Sequence, residues 1–91
     1  MAIVVGKKIS EELYLYIETW TTVSEYQDIA DNHNLSIETV RAVSKRSKKI
    51  NETNLPVLLD VIRLAIKNRT ELHKRLTAGH REANREVNNI L

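Results

Sequence analysis

Cysteine is absent from the 91-residue chain, and glycine and proline are scarce, with two glycines and one proline. Without cysteine there can be no disulfide framework, thiolate zinc site, redox pair or cysteine nucleophile. Two separated glycines cannot form a glycine-rich phosphate loop. The scarcity of turn-forming residues also argues against a fold with many strands and favours helices.

Long apolar runs are also missing. No segment approaches the roughly 20 apolar residues that span a bilayer. Residues 1–6 are apolar, but they are too few for the core of a signal peptide and no charge precedes them. We therefore expect a cytoplasmic protein with no membrane association. Phenylalanine is absent while aliphatic residues are plentiful, so we expect an aliphatic core.

Charge is unevenly distributed, although the net charge is only +2. Residues 24–40 contain four acidic residues and no basic one, whereas residues 41–50 contain five basic residues and no acidic one. Such a run is often only a solvated surface. The alternative is a patch that contacts phosphates.

Apolar residues recur at helical spacing in several segments. We predict helix 1 over 8–20, helix 2 over 25–33, helix 3 over 37–47 and helix 4 from 55 onward, with residues 2–5 as a short strand or loose arm. Gly79 is a weak point, beyond which residues 80–91 regain helical spacing. The predicted caps and turn residue are Ser24 with Gln27 as a capping box, Ser36 and Asn54 as further N-caps, and Asn34 in a left-handed turn.

Residues 26–45 resemble the helix-turn-helix of bacterial and phage transcription regulators, and the stretch LSIETVRAV (35–43) does so most clearly. Ala30 is small enough for two helices to cross there. Asn34 stands where such motifs usually have glycine, and Leu35 fills the turn. The order of helix 1, helix-turn-helix, basic linker and apolar helix 4 is similar to that of lambda-repressor-like domains.

The resemblance implies a small all-α domain of four to five helices, with a central helix-turn-helix and a long C-terminal helix. We divide it into an arm (1–7), a helix-turn-helix domain with the start of helix 4 (8–66) and a helical extension (67–91). The expected function is a sequence-specific double-stranded DNA-binding transcription regulator of a bacterium, phage or mobile element. The alternative is a structural or assembly protein that uses the same core for protein contacts.

The resemblance also implies which residues face DNA, with residues 36–47 in the major groove. Arg41 is the best candidate for reading guanine, and Glu38 either accepts from cytosine or only orients Arg41. Ile37 either contacts a thymine methyl or packs under the turn. The expected base-contacting residues are Ser36, Ile37, Glu38, Arg41, Ala42 and Lys45, and the expected phosphate-contacting residues are Gln27, Arg46, Lys48 and Lys49.

No other constellation suggests chemistry. His33 lies on an apolar stripe and suits packing. His73 and His80 are seven residues apart, whereas helical metal ligands prefer three or four. We therefore expect no metal, no cofactor, no small-molecule ligand and no enzymatic activity.

The first half of helix 4 is apolar around more than half its circumference. One side would pack on the rest of the chain. The other side, which includes Val57, Val61 and Leu64, would pack on a second copy. We therefore expect a homodimer through helix 4, with the tail adding to the contact. A monomer whose helix 4 is wrapped by residues 1–20 and 80–91 is the alternative.

Overall fold

The computed structural model describes residues 3–90 and contains four helices. They are α1 (Glu11–Trp20), α2 (Val23–Asn32), α3 (Ile37–Ser44) and α4 (Leu55–Ile90). The prediction of an all-α domain with a long C-terminal helix is confirmed. α4 continues through Gly79, so the tail is not a fifth helix. Within residues 3–90 there is no strand, and Ala2 of the predicted strand or arm lies outside the described residues.

Side-chain caps set the starts of the first three helices. Ser10 accepts from the Leu13 amide at 3.2 Å, so α1 begins three residues later than predicted. The predicted Ser24 capping box is wrong. Thr22 is the N-cap of α2, and the Glu25 carboxylate accepts from its backbone amide at 2.9 Å. A carboxylate is a stronger acceptor than the amide oxygen of Gln27, which explains the preference for this pair.

α2 and α3 end in the same way, with a left-handed residue after the last turn. Asn34 has φ 54°, and the Leu35 amide donates to the Ala30 carbonyl at 2.9 Å. Arg46 has φ 60°, and the Ser47 amide donates to the Ala42 carbonyl at 2.9 Å. Both are Schellman endings. The role predicted for Asn34 is confirmed, whereas α3 ends at Ser44, before the predicted 47, because the backbone reverses at Arg46.

The core lies where α4 meets the other three helices. α2 runs antiparallel to α4, because Glu25 at its start contacts Asn68 and His33 at its end contacts Asp60. Ala30 is fully buried, as its place at the helix crossing requires. The residues of the buried cluster are Ile9, Ile17, Tyr26, Ile29, Ala30, Val40, Val43, Ile50, Val57, Leu58 and Val61.

The segment before α1 is attached to the linker after α3. The Gly6 amide donates to the Ile50 carbonyl at 2.7 Å, and the Ile50 amide donates to the Lys7 carbonyl at 2.8 Å. The predicted N-cap at Asn54 is also wrong, because its buried side chain does not cap α4. Its Oδ1 accepts from the Asn51 amide at 2.8 Å and its Nδ2 donates to the Lys49 carbonyl at 3.0 Å, so it braces the linker.

α4 has two parts with different surroundings. Its first three turns bury Val57, Leu58 and Val61 against the other helices of the same chain. The expectation that Val57 and Val61 form a dimer face is therefore wrong, because tertiary packing already covers that side of α4. Between Arg69 and Ile90 every residue except the half-buried Thr77 is exposed. We call residues 69–90 the α4 extension and residues 3–68 the body.

Candidate nucleic-acid interface

The outer face of α3 forms a shallow groove of about 320 Å³. Glu38, Arg41, Ala42 and Lys45 line it, so the structure brings together four of the six residues predicted to contact bases. Ser47 also lines it and was not predicted. Only the backbone reversal at Arg46 brings Ser47 back to this face, and helical periodicity gives no sign of that reversal.

The cationic side chains of the groove lack protein partners in the part of the chain that the structure describes. Among residues 3–90, the guanidinium of Arg41 and the ammonium of Lys45 make no ion pair within 4 Å and no hydrogen bond. Glu38 therefore does not hold Arg41 in place, which removes the orienting role suggested for it. Two cations and one carboxylate leave the groove with a positive balance that an anionic ligand can meet.

The first residues of α3 serve the fold instead. The Ser36 hydroxyl accepts from the Thr39 amide at 3.3 Å, which confirms the predicted N-cap. It also lies 3.1 Å from the Thr39 hydroxyl. Ile37 is partly buried against the core, so it packs under the turn. The groove is therefore centred on the second half of α3.

The predicted phosphate contacts fall into two groups. Lys48 and Lys49 are exposed, and their backbone is fixed by hydrogen bonds to Ala42 and Asn54. Arg46 instead ties the chain together, since its Nε donates to the Ile9 carbonyl at 2.6 Å and its Nη1 lies 3.9 Å from Glu11.

Gln27 lies on α2, outside the groove on α3. Its Nε2 donates to Asp31 Oδ1 at 2.9 Å, one turn further along the same helix. It therefore neither caps α2, as the predicted capping box required, nor joins the lysines that follow α3.

The acidic residues of α2 face a different side of the body. Glu25 and Asp28 line a groove of about 400 Å³ between α2 and α4, together with Arg63 and Lys67. This arrangement keeps both carboxylates away from the groove on α3, as expected for an anion-binding face. The lining of the α2–α4 groove contains both carboxylates and cations, so its charge is mixed.

His33 fastens the end of α2 to α4. Its Nε2 lies 2.6 Å from Asp60 Oδ2, and Arg63 Nη1 lies 3.0 Å from Asp60 Oδ1. The hydrogen bond from His33, with a smaller contribution from Arg63, holds the pKa of Asp60 below its ordinary 3.8 despite partial desolvation. The pair is a structural link, because it lies between two helices and away from the α3 groove.

Within residues 3–90 no group of three or more histidine or acidic side chains is placed to hold a metal ion. His80 lies 3.2 Å from the Asn84 side chain, on the exposed extension. No helix in that range is both long and apolar enough to cross a membrane. Comparisons of the chain with protein-family models, with curated proteins and with solved structures give no match.

Proposed function

We propose that the protein is a sequence-specific double-stranded DNA-binding regulator that inserts α3 into the major groove. The observation that carries this proposal is the groove on α3, where Arg41 and Lys45 lie one turn apart and make no ion pair within residues 3–90. The opposite side of α3 is anchored by buried Val40 and Val43, so the helix is held with its polar face outward. Its action is binding rather than catalysis, and we place it in the cytoplasm.

The proposed roles of the basic residues in and after α3 follow from their chemistry. The Arg41 guanidinium matches the two acceptors of guanine in the major groove, and Lys45 extends the contact by one turn. Lys48 and Lys49 follow α3 directly and suit phosphates, which position the protein without reading sequence. The Schellman ending at Arg46 fixes the direction in which these lysines leave the helix.

We further propose that two copies bind two half-sites about 34 Å apart, because one helix of this length covers little DNA. The second copy would pair through the α4 extension and not through Val57 and Val61. Exposed apolar residues remain there at helical spacing, and within residues 3–90 no tertiary packing covers the extension, so pairing would stabilise it. They are Leu72, Leu76, Val87 and Ile90, with Ile66 just before the extension.

The proposal is tested by selecting bound sequences from a random duplex pool and then titrating Arg41→Ala on the selected duplex. We expect a loss of about 1–3 kcal/mol in specific affinity and relaxed preference at one base pair. Arg75→Ala, an exposed arginine on the extension, is the matched control and leaves the preference unchanged.

Two outcomes would contradict the proposal. If Arg41→Ala binds as well as the parent but melts at a much lower temperature, the arginine is structural. If the parent binds no duplex at physiological salt, the chain fits an assembly protein better. The pairing is tested by light scattering, where Leu76→Glu with Val87→Glu is expected to convert a two-chain mass into a one-chain mass.

A further inference from the structure

Four basic residues lie on one side of α4 and form what we call the basic stripe. They are Lys67, Lys74, Arg81 and Arg85, and all four are exposed. At 100° per residue their positions fall within about 40° of one another around the helix axis. Thr70 and Ala78, which are neutral, lie beside them on this side, and Glu71 lies at its edge, one turn from both Lys67 and Lys74.

Among residues 3–90 no ion pair within 4 Å holds any cation of the basic stripe, although Arg46 and Arg63 both have acidic partners. Arg81 and Arg85 are also one turn apart, and like charges at this spacing destabilise a helix. Lys67 shares the α2–α4 groove with Glu25 and Asp28, so the positive field of the stripe is strongest over Lys74, Arg81 and Arg85.

The geometry of the basic stripe suits a long polyanion rather than a compact ligand. From Lys67 to Arg85 the helix rises about 27 Å, with successive cations about 6–10 Å apart. Arg81 and Arg85 are close enough to share one phosphate group, but the four cations together span far more than one. A nucleic-acid backbone repeats its negative charge along this whole length.

The stripe also starts beside the unit proposed to bind DNA. Asn68 Nδ2 donates to the Trp20 carbonyl at 2.8 Å and to Glu25 Oε2 at 3.0 Å, so α4 leaves the body at the start of α2. A membrane surface fits less well, because residues 69–90 contain no phenylalanine, tyrosine or tryptophan to insert.

From these observations we infer that the basic stripe is a second DNA-contacting surface, which binds the phosphate backbone of a duplex without reading its sequence. The inference rests on the proposed function for its choice of ligand. It assigns affinity to α4 and leaves sequence preference to α3. The helix face with the exposed apolar residues lies roughly opposite the stripe, so pairing of two extensions leaves the cations free.

The test uses the full chain and two neighbouring residues, Lys74 on the stripe and Arg75 off it. Binding to an unrelated duplex is measured across a salt series for Lys74→Gln, Arg75→Gln and the double variant Lys74→Gln/Arg81→Gln. We expect the slope of log affinity against log salt to fall by about 1 for Lys74→Gln and about 2 for the double variant. Arg75→Gln keeps the parental slope, although it removes the same charge.

Equal slopes for Lys74→Gln and Arg75→Gln would overturn the inference, because only net charge would then matter. A double variant that binds duplex like the parent but no longer binds phosphatidylserine vesicles would assign the stripe to a lipid surface instead. Arg41→Ala separates the two proposals. If the stripe variants change the salt slope but Arg41→Ala binds the selected duplex like the parent, only the α3 proposal fails. If Arg41→Ala loses specific affinity but the stripe variants keep the parental slope, only the stripe inference fails.

Discussion

The two parts of α4 are stabilised by different interactions, although they form one uninterrupted helix. In the body, Val57, Leu58, Val61 and Ala65 are completely buried, so tertiary packing determines that this part is helical. In the extension the side chains are exposed, and the helix depends on local propensity and on any partner. The continuity of a helix therefore does not indicate its local stability, which differs from one end of α4 to the other.

The largest difference in stability is expected when the same charge is placed in each part of α4. Val61→Glu puts a carboxylate at a position with no solvent exposure and no cationic partner, so we expect a loss of more than about 3 kcal/mol and an unfolded body. Leu76→Glu is the matched change at a site that is 62% exposed, and it leaves the body folded. Thermal melting followed by circular dichroism measures both. A folded Val61→Glu protein would show that the body does not cover this side of α4.

A larger side chain gives the next largest difference. Ala30→Leu overfills the fully buried crossing of α2 and α3, and we expect it to reduce the free energy of unfolding by about 1–3 kcal/mol. Ala78→Leu on the extension meets only solvent and leaves that free energy unchanged. Urea denaturation of both variants tests the contrast, and equal midpoints would mean that α2 and α3 do not cross at Ala30.

The His33–Asp60 link predicts a pH dependence that belongs to the body alone. Because the pKa of Asp60 is lowered in the folded chain, its contribution is complete above about pH 3.8 and is lost as the pH falls through the lowered value. Asp60→Asn is therefore expected to reduce stability near pH 6 and to flatten the acid limb of the stability profile. Glu71→Gln on the extension leaves the profile unchanged. A parental acid limb in Asp60→Asn would show that the link adds no stability.

The smallest expected effect concerns Gly79, near the middle of the extension. A Cβ at this position would contact nothing within 4 Å, so alanine fits without strain. Gly79→Ala is expected to stabilise the local helix by roughly 0.5–1 kcal/mol. Amide hydrogen exchange measures this as slower exchange around residue 79, with no change in the melting of the body. If the body melted at a higher temperature as well, the two parts of α4 would unfold as one unit.

Local patterns predicted much of the fold. Apolar periodicity indicated all four helices, and single side chains identified the cap at Ser36 and the left-handed turn at Asn34. The errors arose where contacts between residues far apart in the sequence determine the structure. The side of α4 occupied by Val57 and Val61 is apolar whether its partner is a second copy or the same chain, so only tertiary packing settles it.

The candidate site was predicted less completely than the fold. Helical spacing placed Glu38, Arg41, Ala42 and Lys45 on one face, because these positions are three or four residues apart. It could not show that Arg46 binds the Ile9 carbonyl, since these residues are 37 positions apart. Helical spacing also did not predict that Ser47 lines the groove, because its position depends on the backbone reversal after α3.

The hydrogen bonds between Ile50 and the segment at Gly6 and Lys7 have a kinetic consequence. They join the two ends of a stretch that contains α1, α2 and α3, so they raise the contact order above that of helices paired only with sequence neighbours. Closing so long a loop costs conformational entropy, and packing of the intervening helices shortens the effective loop. We therefore expect the contact between Ile50 and residues 6–7 to form late in folding, after the local bonds that shape the turn at Lys48 and Lys49.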